Sequence, residues 1–189
     1  GCLLVRDGAD LVRAHQGEAA YLRDLDATED QLQTSSADMG PELSRDFRGL
    51  RLWLPLMLHG AAAFRDALAE KLELTADIHQ KLVQMQQRGA PIELVAAPQL
   101  SLLAFRLRRV PGEPLAAYNL RNTNLLTAIN ARKRIWISST NLPVDDGMAC
   151  SLRVCVLSFR THQAHADYLI EDLVAALDEV TGGSKQPTG

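Results

Sequence analysis

A chain of 189 residues, 47% of them apolar, is long enough for one compact domain or for one domain plus part of another. Its formal net charge is -3 and no long run of either sign occurs, which argues against a nucleic-acid or membrane-surface protein. No apolar run is long enough to cross a bilayer and the first residues lack the form of a secretory signal, so we expect a cytoplasmic protein that binds small molecules or proteins.

The N-terminal quarter combines a short apolar run with a long polar stretch. "CLLV", residues 2–5, is typical of a buried strand, and "RDGAD" after it is typical of a turn. Because this strand begins at the second residue, we expect that the polypeptide starts inside a domain whose earlier part is missing. From His15 to Pro41 the pattern predicts a long polar loop, and Gly40-Pro41 predicts a helix start.

Two helices are predicted next. The first, from about Pro41 to His59, is apolar on so much of its circumference that we expect it to be buried on most sides, with a kink near Arg51 caused by Pro55. The second, from about Ala61 to Arg88, is amphipathic. Its apolar face is predicted to contain Phe64, Leu68, Leu72, Ile78, Leu82 and Met85, with Thr75 as a polar gap.

The remaining elements predict a small α+β layer. It consists of a largely antiparallel sheet with helices on one face. The strands are expected at 92–98, 100–107, 134–140 and 151–158, and the helices at 122–133, after good capping residues, and at about Thr161–Val180.

Local motifs do not identify a chemistry by themselves. His162 and His165 form a close pair, but no third ligand is near in the sequence, and we expect them to be surface residues at a helix start. No glycine-rich phosphate loop, GxSxG or HExxH occurs. Cys2, Cys150 and Cys155 form neither a CxxC nor a paired framework, so we expect reduced, mostly buried thiols.

Six segments together resemble the C-terminal part of the group II amino-acid decarboxylases, the pyridoxal-phosphate-dependent family of aromatic-amino-acid and histidine decarboxylases. The resemblance covers about residues 1–180, and its most specific part is the serine-arginine-x-phenylalanine-arginine sequence that leads into "LRLW". The segments are "GCLLVRDG", "AAYLRD", "PELSRDFRGLRLW", "IELVAAPQLSLLAFRL", "NLLTAINARKRIWISST" and "SLRVCVLSFRTH".

The resemblance implies a fold and a division of the chain. The fold class is α/β, that of fold type I pyridoxal-phosphate-dependent transferases. Residues 1–50 would be the end of the large cofactor domain, with the catalytic loop and linker. Residues 51–182 would be the small α+β C-terminal domain, and residues 183–189 a disordered tail.

The resemblance also implies site residues. Tyr21 matches the tyrosine on the mobile catalytic loop that protonates the substrate carbon after carbon dioxide leaves; a packing tyrosine is the alternative. Ser44 matches a position that shapes the substrate and phosphate pocket, with a helix cap as the alternative. Arg45 and Arg48 match arginines with anion or loop contacts, with solvated helix charges as the alternative, whereas Asp46 departs from the arginine common there.

The lysine that holds pyridoxal 5'-phosphate as a Schiff base has no match. In the family this lysine follows a histidine, shortly before the strand that here begins with Cys2, and no His-Lys pair occurs in this sequence. We therefore expect a chain cut after that lysine, inactive alone, from a homodimeric enzyme that decarboxylates an amino acid. The alternatives are a non-catalytic binding or dimerisation module, or one chain of a split decarboxylase. The four lysines that are present are Lys71, Lys81, Lys133 and Lys185.

Overall fold

The computed structural model of the chain describes residues 3–15, 40 and 46–182. The chain divides into two compact units, Gly1–Leu58 and His59–Gly189. Within the described ranges, no helix is both long enough and apolar enough to cross a membrane. The division into 1–50, 51–182 and 183–189 stays a prediction, and residues 183–189 lie outside the described ranges.

Four helices and four strands are described. In the first unit, Asp7 begins a short helix by accepting the backbone N–H of Ala9 at 2.9 Å. A second helix starts in this unit and continues into the other. The helices are α1 (Gly8–His15), α2 (Leu50–Gln87), α3 (Leu115–Ala131) and α4 (Gln163–Gly182). The strands are β1 (Ile92–Leu94), β2 (Leu102–Leu107), β3 (Ser138–Val144) and β4 (Gly147–Cys155).

The second unit contains one antiparallel sheet in the order β1-β2-β4-β3. Phe105 of β2 is paired with Leu94 of β1 and with Leu152 of β4. Strands β3 and β4 form a hairpin that closes at the pair Val144 and Gly147. The predicted antiparallel α+β layer is therefore confirmed.

The core of this unit lies between one face of the sheet and three helices. In β2 every second residue is buried, because successive side chains of a strand point to opposite faces. The helices complete the core with side chains at three- and four-residue steps. The core includes Leu74, Ile78 and Leu82 of α2, Leu103, Phe105 and Leu107 of β2, Tyr118, Leu125 and Ile129 of α3, Leu152 and Val154 of β4, and Leu169, Leu173 and Leu177 of α4.

A polar pair on α3 fixes this helix to the sheet. The buried Asn122 amide accepts the backbone N–H of Leu107 at 2.8 Å, and the Tyr118 hydroxyl donates to the Leu107 carbonyl at 2.7 Å. Both backbone groups of Leu107 are thereby satisfied by side chains of α3. Buried polar groups need such partners, since an unpaired one is costly.

Several predictions for the first 90 residues were wrong. Residues 3–5 form no strand and are exposed, because no strand among the described residues pairs with them. The helix predicted from Pro41 begins at Leu50, and most of its apolar side chains are exposed. The break in α2 lies at Gly60, not at the residues before Pro55. The helix predicted from Ala61 is confirmed, but its buried face includes Lys71 and Leu74, whereas Leu68 and Leu72 are exposed.

In the second unit the predicted elements were confirmed, but several of their bounds differ: β1 already ends at Leu94, and β4 runs from Gly147 to Cys155. Helix α3 starts at Leu115, directly after Pro114, rather than at the capping residues from Asn122, since Asn122 is occupied with Leu107. Strand β3 starts at Ser138, four residues late, because "VDDG" forms the turn of the hairpin. Cys150 is buried as expected, but Cys155 at the end of β4 is exposed.

Candidate functional site

The predicted site residues fall mostly outside the described ranges. Tyr21, Ser44 and Arg45 lie there, so the structure shows nothing of their surroundings. Arg48 is described and is exposed in a turn before α2, where its N–H donates to the Asp46 carbonyl at 2.7 Å. The turn continues into the helix through the Phe47 carbonyl, which accepts the N–H of Leu50 at 3.1 Å. This turn therefore presents the Arg48 backbone in a defined conformation at the helix start.

The first part of α2 follows this turn with large apolar side chains in solvent. Phe47 is 75% exposed and Trp53 is 55% exposed. Leu52, Leu54, Met57 and Leu58 are also exposed. Among the described residues of the first unit, only Gly40 is buried. This stretch therefore combines an arginine-bearing turn with an uncovered apolar helix.

Lys71 is the most buried lysine of the described residues, at 4% exposure. Its ammonium donates to the Glu70 carboxylate at 2.7 Å and to the Thr161 carbonyl just before α4. The Lys71 ammonium, followed by the His162 imidazole, lowers the pKa of Glu70 below its usual 4.5. Lys71 therefore serves as a buried cation that connects α2 to the start of α4.

Lys81 lies further along α2, between two carboxylates. Its ammonium contacts Asp167 at 2.7 Å and Asp77 at 2.8 Å. Hydrogen bonds to Asp167 and then to Asp77 raise the pKa of Lys81 above its usual 10.5. To form a Schiff base, the Lys81 amine would have to leave both carboxylates.

The lysines of the described ranges do not fit the attachment of pyridoxal phosphate. Lys71 and Lys81 are engaged in ion pairs, and Lys133 is exposed just after α3. Lys185 lies outside these ranges. This mismatch concerns only the attachment of the cofactor to a lysine. Ser44 and Arg45, the candidates for the phosphate pocket, lie outside the described ranges. The described residues therefore provide no attachment point for the cofactor.

The histidine pair lies at the start of α4. His162 Nδ1 is 2.7 Å from Glu70 Oε1, and the His162 N–H donates to Nδ1 of His165 at 3.2 Å. Nδ1 of His165 must be unprotonated to accept this hydrogen bond. Over the described parts of the chain, no three His, Cys, Asp or Glu side chains are grouped as a metal site requires. The arrangement accounts for both histidines as helix-start contacts.

A hollow of about 550 Å³ lies beside β2 in the second unit. Its lining is mainly apolar, with Gln99, Thr140 and Arg153 as polar members. The apolar members are Val95, Ala96, Ala97, Leu100, Leu102, Leu103, Ala104 and Leu142. Arg153 Nε donates to the Ser138 hydroxyl at 3.1 Å. Its described lining residues all belong to the second unit.

Sequence comparison relates the chain to one enzyme family. The family model for the pyridoxal-dependent decarboxylase conserved domain matches residues 1–108, which is more than half of the chain. An aromatic-L-amino-acid decarboxylase of Bacillus atrophaeus is 26% identical over 183 residues, which are 96% of this chain and 36% of that protein. Tyrosine decarboxylase 2 of Arabidopsis thaliana is 31% identical over 140 residues, which are 74% of this chain and 25% of that protein.

Solved structures show the same fold. The Oryza sativa TDC crystal structure with PLP and tryptamine aligns with a TM-score of 0.70 at 20% identity, over 93% of this chain and 34% of that one. Mouse CSAD aligns with a TM-score of 0.65 at 20% identity, over 91% of this chain and 35% of that one. The predicted fold class is confirmed. The chain spans between a quarter and about a third of the length of these relatives.

Sequence reasoning missed two features that the structure shows clearly. Lys71 was not assigned to the buried face of α2, because its burial depends on the Glu70 side chain and the Thr161 carbonyl, which is 90 residues away. Gly60 was not identified as the break in α2. The sequence does contain a signal for this break, a glycine followed by three alanines. Glycine is the weakest helix former after proline, so a break is expected there rather than at the alanines.

Proposed function

The chain belongs to the pyridoxal-dependent decarboxylase family, and on this premise we propose that it supplies the C-terminal part of a decarboxylase for an aromatic L-amino acid. The observation that carries the proposal is the family match over residues 1–108. This range includes Tyr21, Ser44, Arg45 and Arg48, and it ends just after β2 in the second unit.

The substrate class rests on the names of the relatives. An aromatic-L-amino-acid decarboxylase and several tyrosine decarboxylases are among them. The overall reaction replaces the substrate carboxyl group with a proton and releases carbon dioxide. Pyridoxal phosphate, attached to a lysine elsewhere in the complete protein, supplies the electron sink for this chemistry. Tyr21 donates the proton to the substrate carbon, and Ser44, Arg45 and Arg48 border the substrate and phosphate pocket.

The lack of a suitable cofactor lysine determines the activity of the isolated chain. Because the described lysines are unsuited to hold the cofactor, the 189-residue chain alone is inactive under this proposal. The complete enzyme is a cytoplasmic homodimer, and the lysine comes from sequence not contained in this chain.

Intact mass tests the proposal on protein from its native source. Borohydride reduction before the measurement fixes any Schiff base to pyridoxal phosphate. We expect a mass well above 20.7 kDa that includes the reduced cofactor, together with carbon dioxide release from tyrosine, tryptophan or dihydroxyphenylalanine. A cofactor-loaded protein that releases carbon dioxide only from acidic or aliphatic amino acids would overturn the aromatic substrate class.

Tyr21→Phe tests the proton donor in the complete enzyme. We expect amine formation to fall by about 100-fold or more, since general acid catalysis contributes roughly 10²–10⁴-fold. Tyr168→Phe is the matched control, because Tyr168 lies on α4 and its ring, which packs against Arg134, is retained. Equal loss in both variants would contradict the role of Tyr21.

A non-catalytic module, or one chain of a split enzyme, is the second candidate. It is favoured by the engagement of Lys71 and Lys81 in ion pairs. A native mass equal to that of this chain, with no cofactor adduct, would support it. Co-purification of a second polypeptide that carries the cofactor lysine would then identify the split enzyme.

A further inference from the structure

The hollow beside β2 lies on the sheet face that points away from the helices. Leu103 and Phe105 of β2 are buried in the core, and Leu102 and Ala104 alternate with them, so they point to the opposite face. Leu102 and Ala104 both line the hollow. Ala104 is paired with Arg153 of β4, and directly paired residues share a face of the sheet. The apolar hollow therefore contains an arginine on the face opposite the core.

The charge of Arg153 has no carboxylate partner among the described residues. Its Nε donates to the Ser138 hydroxyl at 3.1 Å, but no described residue accepts a hydrogen bond from its two terminal nitrogens. Arg106, two residues beyond Ala104 on the same face of β2, is instead paired with Glu93 at 2.8 Å. The guanidinium of Arg153 therefore has two NH₂ groups that can donate to an anion.

We propose that the hollow binds a small carboxylic acid with an aromatic or branched apolar body, and that Arg153 pairs with its carboxylate. A volume of about 550 Å³ and a mainly apolar lining with few polar groups are typical of small-molecule sites. The planar guanidinium recognises a carboxylate through two parallel hydrogen bonds, while the apolar lining contacts the body of the ligand.

The charge of the lining also limits the ligand class. The described lining contains no Asp or Glu, so an ammonium group in the hollow would lose its hydration without gaining a counter-charge. Free amino acids and amines are therefore poor ligands, and acids without an amino group are favoured. Binding is measured without any catalytic readout, so this inference is tested independently of the proposed function.

The test is a titration of the isotope-labelled 189-residue chain with phenylpropionate, followed by backbone amide shifts. We expect saturable shifts in residues 95–104, 140–142 and 153. Phenylpropanamide, which has the same body without the charge, should bind at least about tenfold more weakly, since hydrogen bonds between charged groups are the strong ones. L-phenylalanine should also bind at least about tenfold more weakly. Equal affinity for the acid and the amide, or no saturable shifts up to about 10 mM acid, would overturn the inference.

Arg153→Gln tests the proposed anion contact. We expect the affinity for phenylpropionate to fall at least about tenfold, with the amide shifts of the core unchanged as evidence of an intact fold. Arg88→Gln is the matched control, because it removes the same charge from an exposed position just after α2 that does not line the hollow. Its affinity should stay within about twofold of the parent chain, since exposed charges are screened by salt. Unchanged affinity in Arg153→Gln would contradict the proposal.

Other occupants of this face would give different results. A second copy of the chain would appear in sedimentation as a dimer that Arg153→Gln dissociates. Another part of the complete polypeptide would slow amide exchange at residues 102–104 in the complete enzyme, relative to the 189-residue chain, and phenylpropionate would then cause no further change. Either result would overturn the small-molecule site.

Discussion

Residues 46–58 and residues 59–182 are both rich in apolar side chains, but they place them in opposite environments. Trp53 in the first region is 55% exposed, whereas Phe105 in the second is fully buried. The first region has a helix that is apolar on most of its circumference, and the second has helices with one apolar face each. The second region alone supplies facing surfaces for its own apolar side chains.

The comparison shows that apolar composition does not bury a helix by itself. Burial requires a second surface at contact distance, and the sheet provides it for α3 and α4. A helix that is apolar on most sides is expected to be buried in a larger protein. In the first unit, the described residues offer Trp53 and its apolar neighbours no such surface.

The largest expected difference between the two regions is the loss of stability when a large aromatic side chain is truncated. Phe105→Ala should lower the free energy of unfolding of the chain by about 3–5 kcal/mol, because it removes a fully buried ring. Trp53→Ala should change it by less than about 1 kcal/mol. Urea unfolding followed by circular dichroism measures both. A large loss in Trp53→Ala would contradict the exposure of the first helix in solution.

A smaller effect is expected from the polar pair that fixes α3. Asn122→Ala should lower the free energy of unfolding by about 2 kcal/mol, because the buried N–H of Leu107 loses its acceptor. Tyr118→Phe should cost about 1 kcal/mol through the lost hydrogen bond to the Leu107 carbonyl. Thr127→Ala, at an exposed position of the same helix, is the control. Equal values for Asn122→Ala and Thr127→Ala would rule out the proposed burial.

The ion pair around Lys71 tests the charged part of the second region. Glu70→Gln leaves the buried Lys71 ammonium without its carboxylate, and we expect the melting midpoint to fall by roughly 5 °C. Adding Lys71→Met should recover most of this loss, since a buried ion pair can be replaced by an apolar side chain of similar volume. No recovery in the double variant would show that the buried charge is not the cause.

The smallest expected effect is a loss of thermal stability at low pH. A hydrogen bond from Lys81 lowers the pKa of Asp167 below its ordinary 3.8, and one from Lys71 lowers that of Glu70 below 4.5. A carboxylate with a lowered folded pKa stabilises the fold above its unfolded pKa, and this contribution is lost as the pH falls through the folded pKa. Melting midpoints should therefore decrease below about pH 4.5.

Lys81→Met provides the control for the acid effect. Without Lys81, Asp167 loses its principal hydrogen-bond donor, so its contribution to the acid-dependent decrease should be reduced. An unchanged pH profile in this variant would show that Asp167 does not contribute to the decrease.

Much of the second region could be predicted from local sequence. The strands of "IELVAAP" and "LSLLAFRL" and the final helix were found, because alternation and helical periodicity are local properties. The start of α3 was missed, because Asn122 resembles a cap but its amide bonds to Leu107, which belongs to another element. Of the candidate site, only the position of Arg48 could be compared with the structure.

Short segments such as "SRDFRGLRLW" resemble the family that the comparison then showed, and local periodicity predicted the apolar faces of the helices and strands in the second region. The folded chain was needed to see which apolar faces are covered, that Lys71 is buried against Thr161, and that α2 breaks at Gly60. Periodicity acts over a few residues, whereas burial and ion pairing depend on surfaces that are distant in the chain.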